Sequence, residues 1–200
     1  NSIKSSKNRK VLTMITAYDA LMAKLFDDNI DMILVGDSLN MSFMGQNDTL
    51  SATMDMMIYH TKAVCNGAKN SFIICDMPFG TYSNRDDALK NAIRVYQETD
   101  ANAVKIEGGI EKADIVKHLT SNSIAVMGHI GLMPQFVRSE GGYKVKGKNS
   151  EDEVRLINDA KTIEKAGAFA IVIEGVKSEL ATKISQSVNI PTIGIGEIGR

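Results

Sequence analysis

Short apolar runs rich in β-branched residues alternate along this chain with longer stretches in which apolar residues recur at helical spacing. The runs occupy residues 11–16, 32–36, 72–76, 103–107, 124–128, 169–174 and 192–195. Their near-continuous apolar character, as in Met32-Ile33-Leu34-Val35, predicts strands covered on both faces, the condition of parallel strands flanked by helices. Asp19, Thr53 and Asn84 stand where they can cap helices. The first carries Leu21, Met22, Leu25 and Phe26, with Asn29 suited to a left-handed stop, and the second carries Met54, Met57, Ile58 and Thr61. Leu89, Ala92, Ile93 and Tyr96 form the stripe of the third, and a fourth helix follows Gly109. Ser150 with Glu153 reads as a capping box for a fifth that stops at Gly167, and Ser178 caps the last.

Seven βα repeats predict an α/β protein, and a (β/α)8 TIM barrel fits better than an open doubly wound sheet, because no Gly-rich dinucleotide turn follows the first strand. Such barrels take ~250 residues. At 200 residues, starting at Asn1 without a Met and breaking off after Gly194-Ile195-Gly196, the chain is expected to lack its last βα unit. No linker, repeat or low-complexity stretch divides it, so residues 1–200 read as a single barrel domain, incomplete at its C-terminal end. Two connections, 38–52 and 129–149, are too long for ordinary loops and are expected to be binding loops or lids.

Polar residues interrupt the strands at a consistent place. Asp37 follows the second strand, Asp76 ends the third, Lys105 and Glu107 close the fourth, His129 follows the fifth and Glu174 ends the sixth. In a parallel barrel those carboxyl ends converge on one mouth. Alternation along the fourth strand puts Lys105 and Glu107 on the same face. Three carboxylates, Asp37, Asp76 and Glu107, would repel one another there unless a cation sat among them, and oxygen donors of this kind favour a hard ion such as Mg2+. Each residue also has a plainer role available: a strand-end Asp can be a turn former, Glu174 a rim charge and His129 a hydrogen-bonded loop residue. His60 and His118 fall on helices and read as surface or packing residues.

Composition narrows the field. Lys plus Arg is 23 against 24 for Asp plus Glu, so no basic footprint points to nucleic acid. The two cysteines, Cys65 and Cys75, have neither metal-ligand spacing nor disulfide density, which suits a cytoplasmic location. No signal core or membrane-length apolar run is seen. The Lys144, Lys146 and Lys148 run is expected to be solvated.

Eight ordered blocks resemble the ketopantoate hydroxymethyltransferase family: Thr16-Ala17-Tyr18-Asp19, Leu34-Val35-Gly36-Asp37-Ser38-Leu39, Tyr59-His60-Thr61, Asp76-Met77-Pro78-Phe79, Val104-Lys105-Ile106-Glu107-Gly108-Gly109, Gly128-His129-Ile130-Gly131-Leu132, Gly141-Gly142-Tyr143-Lys144-Val145 and Ile193-Gly194-Ile195-Gly196. The resemblance implies a (β/α)8 barrel that moves a one-carbon unit from 5,10-methylenetetrahydrofolate to 3-methyl-2-oxobutanoate, giving 2-dehydropantoate for pantothenate and coenzyme A synthesis. By motif it implies Mg2+ at Asp37, Asp76 and Glu107. Substrate contacts fall to Asp37, Ser38, Asp76 and Lys105, and Glu174 is the catalytic base. It carries no role for His129. Its members are homo-oligomers, commonly decamers. The chain departs from the family at Glu197-Ile198. Competing readings are a metal-free Schiff-base aldolase using Lys105, an Mg2+-dependent lyase or mutase of the isocitrate lyase and phosphoenolpyruvate mutase type, and a non-catalytic keto-acid-binding scaffold.

Overall fold

A computed structural model describes residues 3–196; Glu197 and Ile198 lie outside the described residues. Seven parallel strands lie side by side in chain order: β1 (Met14–Thr16), β2 (Met32–Val35), β3 (Phe72–Asp76), β4 (Ala103–Glu107), β5 (Val126–Gly131), β6 (Ala170–Glu174) and β7 (Thr192–Ile195). The helices between them are α1 (Ala20–Phe26), a short α2 (Leu39–Ser42), α3 (Met54–Gly67), α4 (Arg85–Glu98), α5 (Ala113–Ser121), α6 (Ser150–Lys165) and α7 (Ser178–Ser187).

The sheet curls into a nearly closed barrel. Met32, Leu34, Ile74, Ala103, Met127, Ala170 and Val172 form one inner cluster, with Met14 of β1 and Ile193 of β7 packed against it. The Phe72 and Phe169 rings, 5.4 Å apart, meet edge to face inside it. The alternate residues, such as Ile33, Val35, Ile73, Val104, Ile106 and Ile171, belong to the larger cluster under the helices. Both faces are therefore apolar, as the unbroken hydrophobic runs predict. At the amino-terminal end of the barrel Ile3 is buried in the inner cluster, and Lys7 Nζ donates to the Ser185 carbonyl at 2.8 Å.

Several boundaries differ from the sequence reading. β5 begins at Val126 rather than residue 124, because Ile124 N still donates to Leu119 O and Ser123 turns with φ +66° to close α5. His129 therefore lies within β5. Asn149, not Ser150, caps α6, its side chain accepting from Asp152 N at 2.8 Å. α7 starts after Lys177 with no side-chain cap, so Ser178 is already helical. α1 ends at Phe26 with Asp27 as its C-cap, short of Asn29, and turns Leu21 and Leu25 outward; its buried residue is Ala23. The connection after β2 is not structureless, since it contains α2. Lys146 of the basic run pairs with Glu140 and pairs its backbone with Val176. No helix among the described residues is long and apolar enough to cross a membrane.

Candidate active site

The inward register that runs through Ile74, Ala103, Met127 and Val172 continues, two residues on, to Asp76, Lys105, His129 and Glu174, and from Lys105 to Glu107. Alternation alone thus carries these groups into the barrel at its carboxyl end. Asp37 joins them from the first residues after β2, where the backbone turns toward α2. Asp37, Asp76, Lys105, Glu107 and His129 are all buried.

The contacts among them are close. Asp37 N donates to Asp76 Oδ2 at 3.3 Å. Lys105 Nζ lies 2.8 Å from Asp76 Oδ1, 3.8 Å from Glu107 Oε1 and 3.2 Å from His129 Nδ1. His129 Nε2 lies 2.9 Å from the Leu132 carbonyl, which can only accept, so the proton sits on Nε2 and Nδ1 accepts from the Lys105 ammonium. That neutral form agrees with an imidazole whose proton affinity is lowered by burial and then by Lys105. The same Nε2 is 3.3 Å from Glu174 Oε2, and Glu174 is the acid at the rim, its side chain 25% exposed.

Backbone geometry holds that last pair together. Gly131 is in register with Glu174 and has φ +97°; a Cβ there would stand 2.3 Å from the Glu174 carbonyl oxygen. Only glycine permits this approach. Leu132 N then donates to the same oxygen at 2.7 Å.

Negative charge outnumbers positive in the mouth. Burial, then repulsion from Asp76, holds the Asp37 carboxyl well above the usual carboxylate range, and burial pushes Glu107 up to about 7. Burial alone would weaken the Lys105 ammonium, but the charges of Asp76, Glu107 and Asp37 more than reverse it, so the amine stays protonated. Asp76 Oδ1, although beside that ammonium, accepts no hydrogen bond of acceptable geometry. Among the described residues no three acidic, histidine or cysteine side chains already surround one point at ligand distances. The donor chemistry nevertheless suits a hard cation: three buried carboxyls that outnumber the one ammonium beside them.

Each site residue anticipated from sequence reaches this mouth except that Ser38 sends its hydroxyl aside, 2.8 Å from Tyr18 OH. Two participants were not anticipated. Gln135, on a 3-10 turn after β5, donates from Nε2 to Asp37 Oδ2 at 2.9 Å, and Tyr82 OH bonds to Gln135 Oε1. The only sequence signal for Gln135 was its place in a connection too long for an ordinary loop. His60 is a packing residue, its Nδ1 2.6 Å from the Tyr18 carbonyl and its ring against Phe43 and Tyr59.

Solved structures of similar shape include a phosphonopyruvate hydrolase at TM-score 0.68 and 12% identity, covering 98% of this chain and 79% of that one. A 2,3-dimethylmalate lyase of the PEP mutase/isocitrate lyase superfamily aligns at TM-score 0.69 and 17% identity, over 96% of this chain and 70% of its own. Those likenesses speak to the barrel fold alone. Sequence relatives are much nearer. The 3-methyl-2-oxobutanoate hydroxymethyltransferase of Aliarcobacter butzleri is 74% identical over 97% of this chain and 72% of its own length. That of Helicobacter pylori strain 26695 is 60% identical over 98% of this chain and 73% of its own. The family model described as ketopantoate hydroxymethyltransferase matches residues 1–198, and the chain belongs to that family.

Proposed function

We propose that this chain, as one barrel domain, transfers a one-carbon unit from 5,10-methylenetetrahydrofolate to 3-methyl-2-oxobutanoate. Carbon 3 of the keto acid gains a hydroxymethyl group, the methylene supplying the carbon and water the hydroxyl, and tetrahydrofolate leaves. The observation that carries the reading is the buried set Asp37, Asp76, Lys105, Glu107 and His129 behind one accessible acid, Glu174.

A C–H beside a ketone is a very weak acid, so its removal demands that the resulting negative oxygen be stabilised where it forms. Asp37, Asp76 and Glu107 would hold Mg2+, and the ion, when bound, supplies Lewis-acid polarisation of the keto oxygen. Lys105, held protonated by Asp76, adds positive charge in the same buried space. Glu174 takes the proton from carbon 3, and His129 holds Glu174 Oε2 from its protonated Nε2. The Asp37 and Asp76 carboxyls border the keto acid, while the Ser38 hydroxyl is turned to Tyr18. An amine kept charged is a poor nucleophile, which argues against a Schiff base on Lys105.

The test is formation of 2-dehydropantoate with folate donor, keto acid and Mg2+, each omitted in turn and then with chelator. Product that forms only in the complete mixture supports the proposal; product that survives chelation refutes the metal's part. A homo-oligomer in the cytoplasm completes the proposal, and sedimentation of the protein checks its assembly.

A further inference from the structure

We propose that Gln135 is a positioning residue for this reaction, its side-chain amide setting the Asp37 carboxyl that follows β2 and its backbone N–H the Glu107 carboxyl that ends β4. The inference rests on the functional reading above and adds a residue to it. Gln135 is 3% exposed and all its side-chain polar atoms are in use. Nε2 donates to Asp37 Oδ2 at 2.9 Å and to the Met77 carbonyl at 2.9 Å. Since a carbonyl can only accept, Met77 fixes which end of the amide is nitrogen. Oε1 faces outward from that pair and accepts from Tyr82 OH. The Gln135 backbone N donates to Glu107 Oε2 at 3.1 Å, and Glu107 N donates to the Tyr82 oxygen at 3.3 Å. The hydrogen bonds thus close a ring of Gln135, Tyr82 and Glu107, to which Asp37 is attached through Gln135 Nε2.

The chemistry of the amide explains why glutamine suits the place. An arginine or lysine would neutralise the acids it held, whereas an amide orients them and leaves their charge for a ligand. Gln135 also occupies one oxygen of each carboxyl, Asp37 Oδ2 from its side-chain amide and Glu107 Oε2 from its backbone N–H, so the other oxygen of each stays free of these bonds. Glu107 Oε1 is the atom turned toward Lys105 and His129. A plain structural role, fastening the loop after β5, already has a separate agent: Arg138 pairs with Asp48 of the connection after β2 at 3.1 Å.

Three variants separate positioning from fastening. Gln135→Leu keeps the approximate volume and removes every side-chain hydrogen bond; Tyr82→Phe keeps Gln135 and removes one; Arg138→Gln unties the loop alone. Mn2+ affinity by electron paramagnetic resonance, Mg2+-dependent deuterium exchange at carbon 3 of 3-methyl-2-oxobutanoate, and thermal unfolding are read on each. Gln135→Leu is expected to weaken Mn2+ binding and slow exchange by ~10–100-fold, as loss of a group that orients metal ligands does. Tyr82→Phe should cost ~5-fold, the worth of about one neutral hydrogen bond. Arg138→Gln should leave Mn2+ affinity as it was. Parent-like affinity and exchange in folded Gln135→Leu overturn the proposal, as does an equal loss in Arg138→Gln. Should Gln135→Leu fail to fold, Tyr82→Phe decides on the same readings, parent-like values overturning it. A parent protein that binds Mn2+ without exchanging sinks the functional reading, while the affinities still judge Gln135; a parent that does neither sinks both.

Discussion

The two ends of the barrel interior are built from the same strands, the same alternation and the same burial, yet they hold opposite chemistry. At the amino-terminal end Met32, Ile74, Ala103, Met127 and Phe169 fill the space and Ile3 closes it. Two residues further along three of those strands stand Asp76, Lys105 and His129, and Glu174 ends β6 beside them. The lower end lowers the free energy of the fold through apolar burial. The upper end works against it, because burial raises the proton affinity of the Asp37 and Glu107 carboxyls, so keeping either of them charged away from water costs free energy. A barrel of this kind therefore keeps stability and chemistry at separate depths, and substitutions at each depth should have different signatures.

Four measurements probe that separation. Glu174→Gln, at the rim, should slow exchange at carbon 3 by ~10²–10⁴-fold, the usual contribution of a general base, with little change in the unfolding midpoint. Exchange at the parent rate would remove Glu174 from the chemistry. Phe169→Ala, at the sealed end, should cost ~3–5 kcal/mol in denaturant unfolding while exchange per folded molecule stays at the parent rate. If metal affinity fell as well, the two depths would be coupled. The third measurement concerns pH. Glu107, raised to about 7, must lose its proton before it can hold a cation, so Mg2+ affinity should be full above pH 7 and fall as pH drops through that value. Calorimetry in buffers of different ionisation enthalpy should then register proton release, and an affinity indifferent to pH from 5.5 to 7.5 would contradict the assignment. The smallest effect belongs to a helix end: Asn149→Ala should cost ~1 kcal/mol, and more than Ser150→Ala, since Asn149 makes the capping bond.

Much of this molecule can be read from its residues. The strands announce themselves because parallel strands covered on both faces need uninterrupted apolar runs, and the polar residues that end those runs are the ones gathered in the mouth. Errors arise where one signal serves two structures. Ile124 and Ala125 look like the start of β5, but Ile124 finishes the turn that closes α5. Asn149 and Ser150 are both good caps, and pattern alone does not choose between neighbours. Leu21 and Leu25 have helical spacing, yet nothing in their order says which way α1 will roll, and here they face outward. Gln135 is illegible for a deeper reason: a loop residue has no periodicity, and its partners Asp37, Met77, Tyr82 and Glu107 come from positions up to 98 residues away.

The tie between Lys7 and Ser185 spans 178 residues of sequence. A ribosome that adds ~5–20 residues per second would release the first of these ~10–35 s before the second. Ile3 likewise waits for Phe169 and Val172 before its pocket exists. The segment around Ile3 and Lys7 must therefore stay uncommitted until β6 and α7 have emerged, and this end of the barrel closes only after them.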